Sequence, residues 1–121
     1  MTKEDMTMCD AVRRGIDKRI GRGTVVHVSP DGYFRQVTLH GNTIAIFAKY
    51  AKFSTCGWNT ATTCRKLNAL LTLCDWGCGF SVRIRRGGAA LFYHDKPVQD
   101  LADGKVFTDR DLKKIWEVQN G

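Results

Sequence analysis

Between Thr24 and Lys49 the chain reads TVVHVS, then Pro30-Asp31-Gly32, then YFRQVTLH, then Gly41-Asn42, then TIAIFAK. β-Branched and aromatic residues fill the three runs, and turn formers separate them. A helix does not survive such punctuation, because Pro and Gly interrupt it before its hydrogen-bonded turns can accumulate. The pattern predicts antiparallel strands joined by tight turns, with Gly41 supplying a positive φ at the second turn. AKFSTCG (51–57) reads as a fourth strand.

From Thr60 the rhythm changes. Cys64, Leu67, Leu70, Leu71 and Cys74 fall on one helical face, which predicts a central helix over 60–74 that stops before Gly77 and Gly79. FSVRIRR (80–86) alternates again, with Phe80, Val82 and Ile84 on one side and Ser81, Arg83 and Arg85 on the other. Gly87-Gly88 reads as a two-residue hairpin turn and AALFYHD (89–95) as the returning strand.

The two ends read as helices. Met8, Val12 and Ile16, with Ile20 beyond them, form a stripe over 3–19, capped by Thr2 or Thr7 and ended by Gly21 to Gly23. TDRDLKKIWEVQ (108–119) is capped by Thr108, carries Asp109 and Asp111 at its dipole-positive end, and aligns Leu112, Ile115 and Trp116. Pro97 and Asp103-Gly104 break the segment between, which offers one short strand at 106–107. The chain of 121 residues is sized for one core. It is expected to be a single α+β domain over 1–121, in which an antiparallel meander and hairpin pack with a central helix and terminal helices. Its parts are an N-terminal helix (1–22), a basic β-rich body (23–95) and a C-terminal tail with a helix (96–121).

The net charge is +7. Residues 1–22 hold six Lys/Arg against four Asp/Glu, and 96–121 hold five against five. The body holds eight against three, so the excess concentrates there. A basic body suits nucleic acid, a nucleotide or an acidic protein surface. No apolar run reaches the roughly 18 residues of a membrane span, and the acidic, polar opening MTKEDMTMCD is no signal peptide, so no membrane is expected. Five cysteines without a secretion signal point to a reducing compartment. Cys74-x3-Cys78 lacks the second short pair of a structural zinc site, so neither a metal nor a cofactor is expected.

Three places carry candidate chemistry. The first is STCGWNTATTCRKLN (54–68). A helix that begins here leaves about four N–H groups unpartnered, and one Thr or Asn caps only one of them. Trp58, Asn59, Thr60, Thr62 and Thr63, followed by Arg65 and Lys66, are more than a cap requires. They read either as capping with a core Trp58, or as an anion cradle in which Trp58 stacks on a base. The second is His40-Gly41-Asn42, where His40 shares a face with Gln36 and Thr38. It is either a half-buried, hydrogen-bonded histidine or, with Asn42, a polar finger beside the helix start. The third is the stripe of Ser81, Arg83, Arg85 and Arg86, either a solvated sheet face or a platform for an oligonucleotide, a nucleotide or an acidic protein. Phe92 and Tyr93 lie on opposite faces of their strand, so only one of them shares that face.

Three segments resemble a group of short bacteriophage and prophage proteins: Arg19-Ile20-Gly21-Arg22-Gly23-Thr24, Leu39-His40-Gly41-Asn42-Thr43-Ile44-Ala45, and the stretch from Gly57-Trp58 to Leu67-Asn68. The last is similar to a Gly-Trp-x-Thr-x-Thr-Thr-Lys-x-Arg-Leu-Asn signature, with Cys64 in place of its Lys and Lys66 in place of its Arg. The resemblance covers roughly residues 18 to 95 and implies a phage accessory protein of the host cytoplasm. It implies no activity.

Enzyme signatures are lacking: there is no Walker loop, no G-x-S-x-G, and no cluster of acids for a metal-dependent nuclease. Asp31, Asp75 and Asp95 each fall at a turn, where Asp serves local needs. The expectation is a non-enzymatic protein that binds an anionic ligand stoichiometrically, nucleic acid or a signalling nucleotide, to counter a host defence. One alternative is an inhibitor that lays the basic face on an acidic host defence nuclease complex. Another is a metal-free nucleotide-processing enzyme using His40. A homo-oligomer suits the binding readings.

Overall fold

The computed structural model describes residues 1–121. In chain order the elements are α1 (Lys3–Arg14), β1 (Lys18–Ile20), β2 (Thr24–Val28), β3 (Arg35–Leu39), β4 (Asn42–Phe47), β5 (Ala51–Phe53), α2 (Ala61–Leu71), β6 (Phe80–Arg85), β7 (Gly88–Tyr93), β8 (Lys96–Asp100), β9 (Phe107–Thr108) and α3 (Asp109–Asn120). The fold is α+β, as the periodicities predict. Two antiparallel sheets form, a six-stranded one in the order β1-β2-β3-β4-β5-β9 and a three-stranded one in the order β6-β7-β8.

α1 packs on β1, β2 and β3, while α2 touches α1, β4 and β6 and so stands between the two sheets. Met8, Val26, Val37, Ile44, Phe53, Leu67, Leu70, Leu91, Phe107 and Leu112 meet there in one contiguous core. The alternating strands put Val37 inward and leave Gln36 and Thr38 half-exposed on the outer face, as an antiparallel sheet with one solvated side requires.

Several boundaries differ from the sequence reading, each for a local reason. α1 ends at Arg14 rather than near residue 19, because Gly15 takes the left-handed conformation (φ 69°) and donates its N–H to Ala11 and Val12. Arg35 completes the stop: its guanidinium donates to the Val12 carbonyl at 2.6 Å and the Arg13 carbonyl at 2.9 Å. Lys18–Ile20 is therefore a strand, paired with Thr24–Val26. β5 ends at Phe53, because side chains redirect the next residues: Ser54 Oγ accepts from Cys56 N at 3.0 Å and donates to the Gly104 carbonyl at 2.6 Å. α2 ends at Leu71, where Thr72, Leu73 and Cys74 tighten into i→i+3 turns.

The β6–β7 turn is Arg86-Gly87, not Gly87-Gly88. Arg85 pairs with Gly88, and the two residues between them have φ of 53° and 79°, the double positive φ of a type I′ turn. β8 was hidden by Pro97. It is an edge strand, where a residue without an N–H is tolerated. At α3 the predicted Thr108 cap forms, and Asp111 completes it as a reciprocal capping box, but only Leu112 is buried, and Trp116 packs against Trp76 at 5.2 Å.

Candidate functional site

α2 starts where residues 54–60 leave the large sheet. Thr60 is the N-cap: its Oγ1 accepts from Thr63 N at 3.2 Å and lies 2.9 Å from Thr63 Oγ1. His40, Asn42, Trp58, Thr60, Thr62 and Thr63 line a cleft of about 60 Å³ in front of this helix end. The structure thus brings together six of the nine residues that the sequence associates there, although the space is that of only about two waters. Trp58 is 55% exposed, so it does not plug the core.

Asn59, Arg65 and Lys66 lie outside the cleft. Asn59 Oδ1 is buried without a hydrogen-bond partner. Arg65 and Lys66, one turn further along α2, meet Asp5 of α1, Arg65 Nε at 2.9 Å and Lys66 Nζ at 3.1 Å. Lys66 and Asp5 are buried. Burial alone raises the Asp5 carboxyl, but hydrogen bonds from Lys66, Thr2 and Arg65 and the Lys66 charge outweigh it and hold Asp5 below the usual carboxylate range. The two cations read as part of an anion cradle are therefore engaged by an internal carboxylate.

His40 also departs from the half-buried reading. It occupies the first position of the His40-Gly41 turn with φ 49° and is exposed, its ring lying against Gly23. A tight turn at that point lifts the side chain out of the strand face that Gln36 and Thr38 share. Asn42 Nδ2 donates weakly to the His40 carbonyl at 3.4 Å.

The last residue of the same segment proves structural in another way. Asn68 on α2 donates to the Val82 carbonyl at 3.0 Å and accepts from Val82 N at 2.6 Å. Its amide thus serves as a one-residue strand partner for the edge of β6. Asn paired with Leu67 in a helix gives no hint of this from sequence, because the partner lies 14 residues away.

The small sheet carries a different surface. Its outward positions are Ser81, Arg83 and Arg85 on β6, Gly88, Ala90 and Phe92 on β7, and Pro97 and Asp100 on β8. Arg83 is engaged: it donates to Ser81 Oγ at 3.0 Å, the His94 carbonyl at 2.9 Å and Asp95 at 3.3 Å, and it covers the Phe92 ring at 4.7 Å. Phe92 is thus the aromatic residue on the stripe's face, and Tyr93 lies on the other. Arg85 and Arg86 are exposed, with no ion pair or hydrogen bond of their own.

Because the half of the middle strand nearest the turn presents only Gly88 and Ala90 between larger neighbours, that end of the face is a valley. Ala90 is 5% exposed although it points outward. The resulting trough, about 520 Å³, runs between Arg85 and Arg86 on one side and Gln99 and Asp100 on the other, with Pro97 and Ala102 at its margin. The sequence reading missed Gly88, Ala90, Pro97, Gln99 and Asp100. The signal available was the small outward residue Ala90 opposite Arg83, which acquires meaning only once β8 is recognised as the far wall.

The cysteines are all free. Burial raises the Cys9 and Cys64 thiols, and burial with the nearby Asp109 and Asp75 charges pushes Cys74 up to about 12, so none of the three offers a thiolate near neutral pH. No three His, Cys, Asp or Glu side chains gather in a metal-ligating cluster. No helix is long and apolar enough to cross a membrane.

No curated protein and no solved structure matches the chain. A family model described as Kyanoviridae Gp96 protein matches residues 1–108, and the chain belongs to that bacteriophage family. The match takes in both clefts and ends at the first residue before α3.

Proposed function

We propose that this phage protein acts by stoichiometric binding rather than turnover, holding an anionic ligand, nucleic acid or a nucleotide, on the outer face of its small sheet. Its setting in this reading is the host cytoplasm, and its role is to counter a host defence. The observation that carries the reading is the pair of unpartnered guanidiniums, Arg85 and Arg86, at the mouth of a 520 Å³ trough. Guanidinium forks match phosphate oxygens in bidentate geometry. Gly87 and Gly88 add no side chain between them, and a Cβ at Gly87 would meet nothing within 4 Å, so a phosphate approaches the backbone freely.

The helix-start cleft supports the reading less well. It is small, and its two neighbouring cations are both engaged by the one carboxylate of Asp5. Binding is favoured over catalysis by His40 because its ring, exposed on a turn, has no hydrogen-bonded partner to orient it as a general base would need.

Thermal shift of the purified protein with DNA, RNA and a panel of linear and cyclic nucleotides tests the proposal. A ligand at ~100 Kd adds about 2.7 kcal/mol of stability. That gain should vanish in Arg85→Gln/Arg86→Gln and persist in Thr62→Ala. If no anion raises the melting temperature of the wild-type protein, the proposal fails and an acidic host protein becomes the better partner.

A further inference from the structure

Resting on the reading that the small-sheet face binds an anion, we infer that the trough is built for a nucleoside phosphate rather than for a nucleic-acid strand. The two walls have opposite chemistry. Arg85 and Arg86 stand on one side, while Asp100, next to Gln99 on β8, stands on the other. A surface that tracks a polynucleotide backbone is basic along its length, because phosphates recur at every step. A carboxylate in the far wall repels the second phosphate of a strand crossing the trough.

The same carboxylate suits a ligand that is anionic at one end and rich in hydroxyl donors at the other. Asp100 Oδ1 already accepts from Ala102 N at 2.9 Å, which fixes the side chain, and its other oxygen is open to accept from a ribose diol. The side chain is exposed, so the contact orients a ligand rather than anchoring it. The dimensions agree. Past Ala90 the outer face of β7 carries Phe92 under the Arg83 guanidinium, so the floor of small residues ends there. Its volume lies within the range of small-molecule pockets. The Arg83 guanidinium next along this face, partly exposed and held by Ser81, the His94 carbonyl and Asp95, gives a base a surface to stack on.

The assignment is tested by measuring binding of AMP, adenosine, inorganic phosphate and a deoxythymidine decamer to the intact protein by NMR titration of the Gly87, Gly88 and Ala90 amides. AMP should bind at least about tenfold more tightly than phosphate or adenosine, since only it engages both walls. Asp100→Asn keeps the acceptor for Ala102 N, and should weaken AMP roughly three- to tenfold while leaving phosphate unchanged or slightly tighter. Ala90→Val, which raises the trough floor, should weaken AMP and spare phosphate. Tight decamer binding without AMP binding overturns the nucleoside-phosphate assignment and leaves the anion-binding face standing. Failure of every probe to shift these amides overturns both. AMP affinity unchanged in Asp100→Asn overturns the assigned orientation.

Discussion

Arg65 and Lys66 leave the first turns of α2 and meet Asp5, whereas Arg85 and Arg86 leave the end of β6 and meet solvent. Both places are basic pairs next to a cavity, and both sit beside a surplus of small or hydroxylated residues. The helix start turns that surplus inward. Thr60 caps, Thr63 bonds to the cap, Lys66 and Arg65 neutralise a carboxylate, and Asn68 closes a strand edge. At the hairpin, Arg83 is the only arginine drawn into the structure, and the next two are left over. A polar motif is thus a functional candidate only after the fold's own demands on it are subtracted.

The largest effect should come from removing the carboxylate that makes the helix start structural. Asp5→Ala strands a buried Lys66 ammonium, and breaking a buried pair from one side costs about 3–5 kcal/mol. Urea denaturation of Asp5→Ala and of Asp5→Ala/Lys66→Met measures it. The double variant should recover most of the loss, because it leaves no buried charge unpaired. A single variant as stable as wild type would mean that Lys66 escapes to solvent and that the contrast between the regions is false.

Acid gives the same comparison without mutation. The folded Asp5 pKa lies below its unfolded value, so its stabilisation is complete above about pH 4 and is lost as pH falls through the lowered folded value. Melting temperature followed from pH 6 to pH 2 should fall less steeply in Asp5→Asn/Lys66→Met than in wild type. Equal slopes would remove Asp5 from the account.

A smaller loss is expected at Asn68. Asn68→Ala leaves the Val82 N–H and carbonyl unpaired at a partly buried edge, which costs roughly 1–3 kcal/mol. Hydrogen exchange at Val82 should rise with it. Thr60→Ala should cost about 1 kcal/mol as a lost N-cap, while Thr62→Ala, exposed and unbonded, stays within about 0.5 kcal/mol. Equal costs at the two threonines would make the surplus at Thr62 structural as well.

These differences also explain what was legible in the sequence. Periodicity reports the environment of consecutive side chains, and so the meander, the central helix, the 80–95 hairpin and the Thr108 cap could be read directly. Proximity of the 40–42 turn to the 58–63 helix start was legible too, since a strand that leaves the turn and an antiparallel strand that returns are all that separate them. Long-range polar partners were not. Asp5 is 61 residues from Lys66, and nothing in KEDMTMCD marks that carboxylate as buried rather than solvated. β8 was lost for a different reason. Pro97 signals a break wherever hydrogen bonds must form on both sides of a strand, and only the topology reveals that one side of β8 is free.

The smallest stability effect should accompany the largest effect on binding. Arg85→Gln/Arg86→Gln removes two exposed charges that touch nothing in the chain, and surface changes of this kind alter stability by no more than about 0.5 kcal/mol. Removing both cations also lowers the net charge from +7 to +5, which reduces self-repulsion and makes a slight gain in melting temperature the expected sign. Binding of anions should be abolished in the same protein. A matched thermal melt and phosphate titration on this variant therefore separate the two kinds of basic pair: Lys66 is needed by the fold, and Arg85 and Arg86 are needed only by a ligand. Loss of several kcal/mol at the hairpin would instead place its arginines in the fold, and the trough would lose its claim to be a site.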